Sequence, residues 1–439
     1  MANIRPMRLL SVVVAFGVAI SACDSPTSEK IQVWKGTEKG PDKIEAALAS
    51  ASVPASLRAE AAAALVDIGR PEKVDSILAD LAPGQRDEVL KPLIDVYIKV
   101  MSSPQLPKAR DARDALFSAR QYASPEEQQR IDGVLLASIE KDLRDGRFAG
   151  GRHSLDKMLS TIGSPSGPML VRLLADPKTP YRGLAELLAK VGDEAVRDKG
   201  GAALIGRIGA GRVMPNDLWI SLGLIGGPTV AQFLSDKMEK GPPGDAVAAA
   251  KAMQQSRFPG ALPLALKIAS DAKADKELRG EAFGVIEKIG GPEALKGLLR
   301  IIAEDKNDIV RYRAHEAALE VGKADAILPA LQAFSPKLSF KREDVVDFLV
   351  KDISKLGAKA KPQVIAALAA PSVLARMTAV LALEAPLPSN PKGHMGGSED
   401  AAALSRLAGD AGTIKGFPSG MTVGSEAKRV AAILDNKGK

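Results

Sequence analysis

Cysteine, histidine and aromatic side chains are scarce in this sequence. One cysteine in 439 residues rules out an intrachain disulfide. The three histidines, His153, His315 and His394, lie too far apart for two to share a helix face, so no helical pair of imidazole ligands is encoded. Aromatics make up 4% of residues against 46% apolar overall. A strand-rich core draws on aromatic and β-branched residues, whereas thin helical layers are built from alanine and leucine. No Gly-Lys-Ser or Gly-Lys-Thr occurs, which removes a phosphate-binding loop. The formal charge of +7 is small for this length, and its cations are dispersed, unlike the clustered face of a nucleic-acid binder.

What is present is a repeat. Residues 276–322 read as helix, Gly-Gly-Pro turn, helix, Asp-rich turn, helix. An arginine followed three residues later by alanine recurs at Arg58, Arg182, Arg279, Arg311 and Arg376, with gaps of 124, 97, 32 and 65 residues. These gaps are close to multiples of about 32, within the range of helical repeats. Gly-x-Pro recurs in the same phase, beginning at Gly69, Gly163, Gly226 and Gly290. Glycine past a helix end supplies a left-handed residue, and proline opens the next helix where its missing N–H costs nothing. After Pro71 and Pro292 the apolar residues fall at the same offsets, one stripe of a helix. Asp176 and Asp305 stand six residues before Arg182 and Arg311, and each is expected to tie its turn to the following helix start.

This pattern resembles the HEAT and HEAT-like (phycobilisome-lyase-type) repeat family over most of residues 41–387. The resemblance implies an all-α fold, an α-solenoid of stacked helical hairpins. Arg58, Arg182, Arg279, Arg311, Arg376, Asp176 and Asp305 are read as internal repeat structure, since they recur in phase whatever a partner demands.

The front of the chain has another character. Arg5 and Arg8 precede an apolar run from Leu9 to Ile20, too short to span a bilayer but right for a signal h-region. Small residues then lead into Cys23. This placement resembles the lipobox of bacterial lipoproteins, which implies diacylglycerol on the Cys23 thiol and cleavage after residue 22. Loss of Arg5 and Arg8 lowers the net charge from +7 to +5. Residues 23–40 are expected to be a lipidated polar tether and a short extended piece carrying Trp34. Residues 388–439 are expected to form a loop-rich cap, with helices near 398–408 and 424–435. Ser398, Glu399, Asp400, Glu426, Lys428 and Arg429 are expected to give it a polar outer face.

Catalytic motifs are weak. Gly163-Ser-Pro-Ser-Gly167 has Pro165 where a nucleophile elbow needs a hydroxyl, and Gly206–Gly211 lacks the context of a nucleotide loop. Some HEAT-repeat metal hydroxylases carry several His-Glu pairs; here one occurs, at His315-Glu316, and His315 is read as a surface side chain beside Arg311. Tyr97 is read as core, and Lys351, Lys355, Lys359 and Lys361 as a solvated face and turn. The expectation is a non-catalytic scaffold in a bacterial envelope, needing no cofactor or metal. It would be anchored in a membrane through Cys23, and its partner would be a protein or peptide, not nucleic acid. A lyase-type enzyme and a carrier of lipid or hydrophobic cargo are the alternatives.

Overall fold

The computed structural model describes residues 25–145, 153–208, 214–334, 344–388, 390–414 and 417–436. The signal-like segment and Cys23 lie outside the described residues. Contacts divide the chain after Pro165, at the Gly163-x-Pro165 turn, into two compact units.

The first unit holds α1 (Ser28–Trp34), α2 (Gly40–Ala49), α3 (Ala55–Asp67), α4 (Pro71–Asp80), α5 (Pro83–Met101), α6 (Leu106–Ala119), α7 (Pro125–Arg144) and α8 (Leu155–Ile162). The segment expected to be extended is helical. Ile31 and Trp34, three residues apart, turn inward against α2 and α3, while Val33 stays exposed. Thr27 caps this helix by accepting the Lys30 N–H at 3.2 Å. The folded body therefore starts five residues after Cys23, and no long tether intervenes. Ser124 likewise caps α7 by accepting the Glu127 N–H, and Tyr97 is core, as expected.

The second unit begins with α9 (Gly167–Ala175), α10 (Arg182–Val191), α11 (Glu194–Gly206), α12 (Asn216–Ile225), α13 (Pro228–Lys240), α14 (Pro243–Ser256), α15 (Leu262–Ser270) and α16 (Lys276–Ile289). It continues with α17 (Gly291–Glu304), α18 (Asp308–Gly322), α19 (Ile327–Ala333), α20 (Asp344–Lys355), α21 (Lys361–Ala367), α22 (Val373–Glu384), α23 (Ala401–Ser405) and α24 (Val423–Asn436). Alternate helices pack side by side. One layer runs α10, α12, α14, α16, α18, α20, α22, α24, and the facing layer includes α9, α11 and α13, then α15, α17, α19 and α21. Chains of buried Leu, Ile, Val and Ala fill the space between layers. Gly163, Gly226 and Gly290 end their helices with φ of 75°, 64° and 67°, the left-handed conformation that the Gly-x-Pro spacing predicts.

The C-terminal region departs from expectation in two places. Residues read as loop include a two-stranded antiparallel ribbon, β1 (Pro386–Leu387) with β2 (Asn390–His394). Asp400, read as part of a polar outer face, is 7% exposed; its Oδ2 accepts the Gly397 N–H and pairs with Lys361. Helix α24 packs on α22 through Val423, Ala427, Val430 and Leu434, and Arg429 forks onto the Glu384 carboxylate.

Candidate functional site: a charged cleft on helices α16, α18 and α20

Four of the five repeat arginines are internal. Each lies one turn inside its helix and donates to backbone oxygens at the end of the preceding helix or in the turn after that helix, and Arg311 reaches the C-terminal end of α19 as well. Arg58 Nε reaches Leu48 O at 2.8 Å, and Arg279 reaches Ala269 O at 3.2–3.3 Å. Arg311 reaches Ile302 O at 2.6 Å and Phe334 O at 3.1 Å, and Arg376 reaches Ala370 O and Pro371 O at 2.8 Å. A helix end presents unpaired carbonyls with partial negative charge, and a buried guanidinium satisfies both. Burial lowers the Arg58 and Arg311 pKa from the usual arginine value.

Arg182 is the exception. Its side chain is 66% exposed and among the described residues meets only Asp217, at 4.0 Å. Helix α10 starts at Arg182 itself, whereas α3, α16, α18 and α22 each start three residues before their arginine. Pro180 stands two residues ahead and forces Thr179 out of the helical region, so this helix begins a turn late. Arg207 does the work instead, donating to Leu174 O, Pro177 O and Thr179 O at 3.0–3.2 Å while stacking over Tyr181. The Asp–Arg expectation also shifts. Asp305 caps its own turn through the Asn307 N–H at 2.7 Å, and it pairs with Arg279 of the repeat before at 3.3 Å. Arg311 meets Asp308 at 3.7 Å instead. Asp176 caps its turn through the Lys178 N–H at 3.0 Å.

Four of the arginines are committed to internal contacts, and among the other charged groups one cluster lies along α16, α18 and α20. A cleft of about 350 Å³ is lined by Glu287 and Lys288 from α16, by Arg313, Glu316 and Glu320 from α18, and by Asp352 and Lys355 from α20. Arg313 bridges Glu287 at 2.9 Å and Glu316 at 3.2 Å. Asp352 is nearly buried and accepts Tyr312 Oη and Lys355 Nζ, each at 2.5 Å. Beside the cleft, Phe348 packs on Tyr312 with ring centroids 5.4 Å apart and is 44% exposed. The helical spacing of Tyr312, Arg313, Glu316 and Glu320 puts them on one face of α18.

The electrostatics of the cleft are acidic. Burial raises the Glu287 carboxyl pKa; Arg313 opposes the rise, and Glu320 and Glu316 add to it. Burial also raises the Tyr312 phenol, followed by its bond to Asp352. The bond to Asp352 raises Lys355.

His315 is not a surface residue. It is fully buried between Tyr312 and Phe334, and neither ring nitrogen has a hydrogen-bond partner among the described residues. Burial lowers its pKa to about 4, with Asp352 opposing. His153 accepts or donates a 3.1 Å bond with Ser118, which is itself buried beside Phe117. His394 Nδ1 lies 2.5 Å from Glu384 O. Among the described residues no group of three or more His, Cys, Asp or Glu could hold a metal ion. Lys355, read as solvated, is 59% exposed while pairing with Asp352, and Lys361, read the same way, is 27% exposed and tied to Glu399 and Asp400.

The comparisons with known proteins agree with this architecture. The HEAT repeats family matches residues 231–319, the stretch from α13 to α18 that contains Arg279 and Arg311. Residues 231–319 are thus matched as HEAT repeats, and the fold is all-α, with stacked helical layers of the solenoid type. No curated protein matches it in sequence. Among solved structures it is similar to Kap121p bound to Nup53p, with 12% identity, a TM-score of 0.42, and coverage of 92% of this chain and 50% of that one. A second similar structure is the karyopherin Kap121p bound to the extreme C-terminus of the protein phosphatase Cdc14p, with 11% identity and a TM-score of 0.41. That likeness covers 90% of this chain and 45% of that one. Human deoxyhypusine hydroxylase is similar at 19% identity and a TM-score of 0.24, over 63% of this chain and 98% of that one. The chain thus spans about half the length of the Kap121p chains it matches.

Proposed function

We propose that this protein is a lipid-anchored scaffold of a bacterial cell envelope that binds a protein or peptide, without catalysis, on the face of α16, α18 and α20. The observation that carries the binding role is the cleft itself, with four carboxylates against three cations beside an exposed phenylalanine. A buried or half-buried carboxylate cluster gains from an incoming cation, and an aromatic at the rim gives an apolar anchor. The partner segment therefore carries a lysine or arginine next to an apolar side chain. A nucleic-acid backbone, which is anionic, is repelled by this face.

The anchoring role rests on residues 1–23: a basic start, an apolar run of signal length, and Cys23 after small residues. No helix among the described residues is long and apolar enough to cross a membrane. Stable retention requires two or more acyl chains, as lipidation at Cys23 would supply. Residues 1–22 act as the signal and residues 23–27 as a brief link. The repeats carry the binding face, and residues 388–439 close the layer of α22.

A photocrosslinking residue in place of Phe348, in living cells, tests the binding role. The expected result is a discrete protein adduct that is absent when the same residue replaces Lys296, whose side chain is 80% exposed on α17. Equal labelling at both positions would overturn it.

A further inference from the structure

Ser25 and Pro26, the first described residues, close one side of a second cavity, in the first unit. Its volume is about 480 Å³. The other walls include Trp34 from α1, Ala46 and Ala47 from α2, and Val53 from the turn before α3. Trp34, Ala47 and Val53 are 8%, 4% and 9% exposed, so the floor of the cavity is apolar and packed from behind. Lys43 stands at the Trp34 ring, 5.6 Å from its centroid.

Two features bear on what fills this space. The first is size. An apolar cavity of about 150 Å³ holds a benzene ring, so one of this volume has room for roughly 15–20 carbons, one long acyl chain. The second is position. Cys23 precedes Ser25 by two residues, and two residues of chain reach at most ~7 Å. A lipid on Cys23 is thus tethered within that reach of Ser25, which itself lines the groove.

We propose that this groove receives one acyl chain of the lipid carried by Cys23, so that the anchor is shared between membrane and protein. The proposal rests on the lipoprotein reading above and adds to it. Withdrawing one chain weakens the hold of the others on the bilayer. The site would then set how readily the protein leaves its membrane.

Trp34 and Trp219 are the two tryptophans, so Trp219→Phe makes Trp34 the sole reporter. Intact mass of the mature chain, purified from membranes, tests lipidation itself. The lipidated chain on phosphatidylglycerol-containing vesicles should show Trp34 at least threefold better shielded from acrylamide than the Cys23→Ser chain without its signal. Val53→Glu should abolish that shielding while the protein still sediments with the vesicles. In the lipidated chain Ala46→Phe, which fills the groove from an exposed position, should keep the acyl chain out, so that lipidation no longer changes Trp34 shielding even if Val53→Glu fails to fold. Dibrominated palmitate should quench Trp34 in the Cys23→Ser chain, saturating at one equivalent and binding at least tenfold more weakly in Ala46→Phe. A lipidated chain whose shielding survives Val53→Glu, or quenching by palmitate that never saturates, overturns the groove proposal alone. A mature chain with no lipid on Cys23 overturns both the proposal and the lipoprotein reading. If Trp219→Phe is unstable, the same differences are read against a constant Trp219 background.

Discussion

Two repeats of the second unit carry the same marker and use it differently. In α18, Arg311 is 3% exposed and His315, four residues on, is 0% exposed. In α10, Arg182 and Glu186 occupy the same two offsets and both face solvent. The alanine three residues after each arginine, Ala314 and Ala185, is fully buried in both. The stripe that packs the helix is therefore shared, and what differs is where the helix begins. A helix that starts three residues before its arginine carries the guanidinium back over the preceding turn to the carbonyls. One that starts at the arginine leaves it in water. A period in the sequence marks the packing face reliably, and the polar work at each turn is decided by local backbone.

The sharpest way to break this comparison is Arg311→Ala. It leaves Ile302 O and Phe334 O without their donor in a buried turn, and should destabilise the unit by about 3–5 kcal/mol in urea unfolding. A loss below about 1 kcal/mol would show that water replaces the guanidinium without penalty.

His315 gives a pH test of the same repeat. Its folded pKa of about 4 lies below the ordinary 6.5, so burial of the neutral ring contributes stability that is complete above pH ~6.5. That stability is lost as pH falls toward about 4, by roughly 3 kcal/mol. His315→Leu should flatten this part of the profile. An unchanged acid limb would place the titrating group elsewhere.

Arg207 and Arg182 sharpen the comparison further. Arg207→Ala removes three carbonyl contacts and should cost about 2 kcal/mol, while Arg182→Ala should stay within about 0.5 kcal/mol. Equal losses would return Arg182 to the ladder. A small gain belongs to the glycines that directly follow two of the arginines. Gly183 and Gly280 are helical, and an added Cβ meets nothing within 4 Å. Alanine at either site should raise stability by about 0.5–1 kcal/mol in thermal unfolding.

Much of the fold was legible in the sequence. Gly-x-Pro marked helix ends correctly because a left-handed glycine and an N-terminal proline are local demands, met before any tertiary contact forms. The arginine period marked the packed layer for the same kind of reason. The helix of Trp34 was misread because Ile31 and Val33 alternate like a strand, and only the Ile31–Trp34 spacing with Thr27 ahead signals a helix. The displaced role of Arg207 could have been suspected from Pro180, which marks a delayed helix start. The cleft was not legible. Glu287, Glu316 and Asp352 lie on three helices, and nothing in one helix shows which residue of the next will face it. His315 is covered in part by Phe334, which is distant in sequence.

The central claim is that repeat arginines hold the layers together and the carboxylates of the cleft meet the partner. Its most direct test is the in-cell crosslink yield from position 348, measured with Glu316→Lys and Glu320→Lys together and, separately, with Arg182→Ala. The double charge reversal should remove the adduct with little change in thermal stability, and Arg182→Ala should leave it intact. An adduct that persists through the reversal would contradict the account.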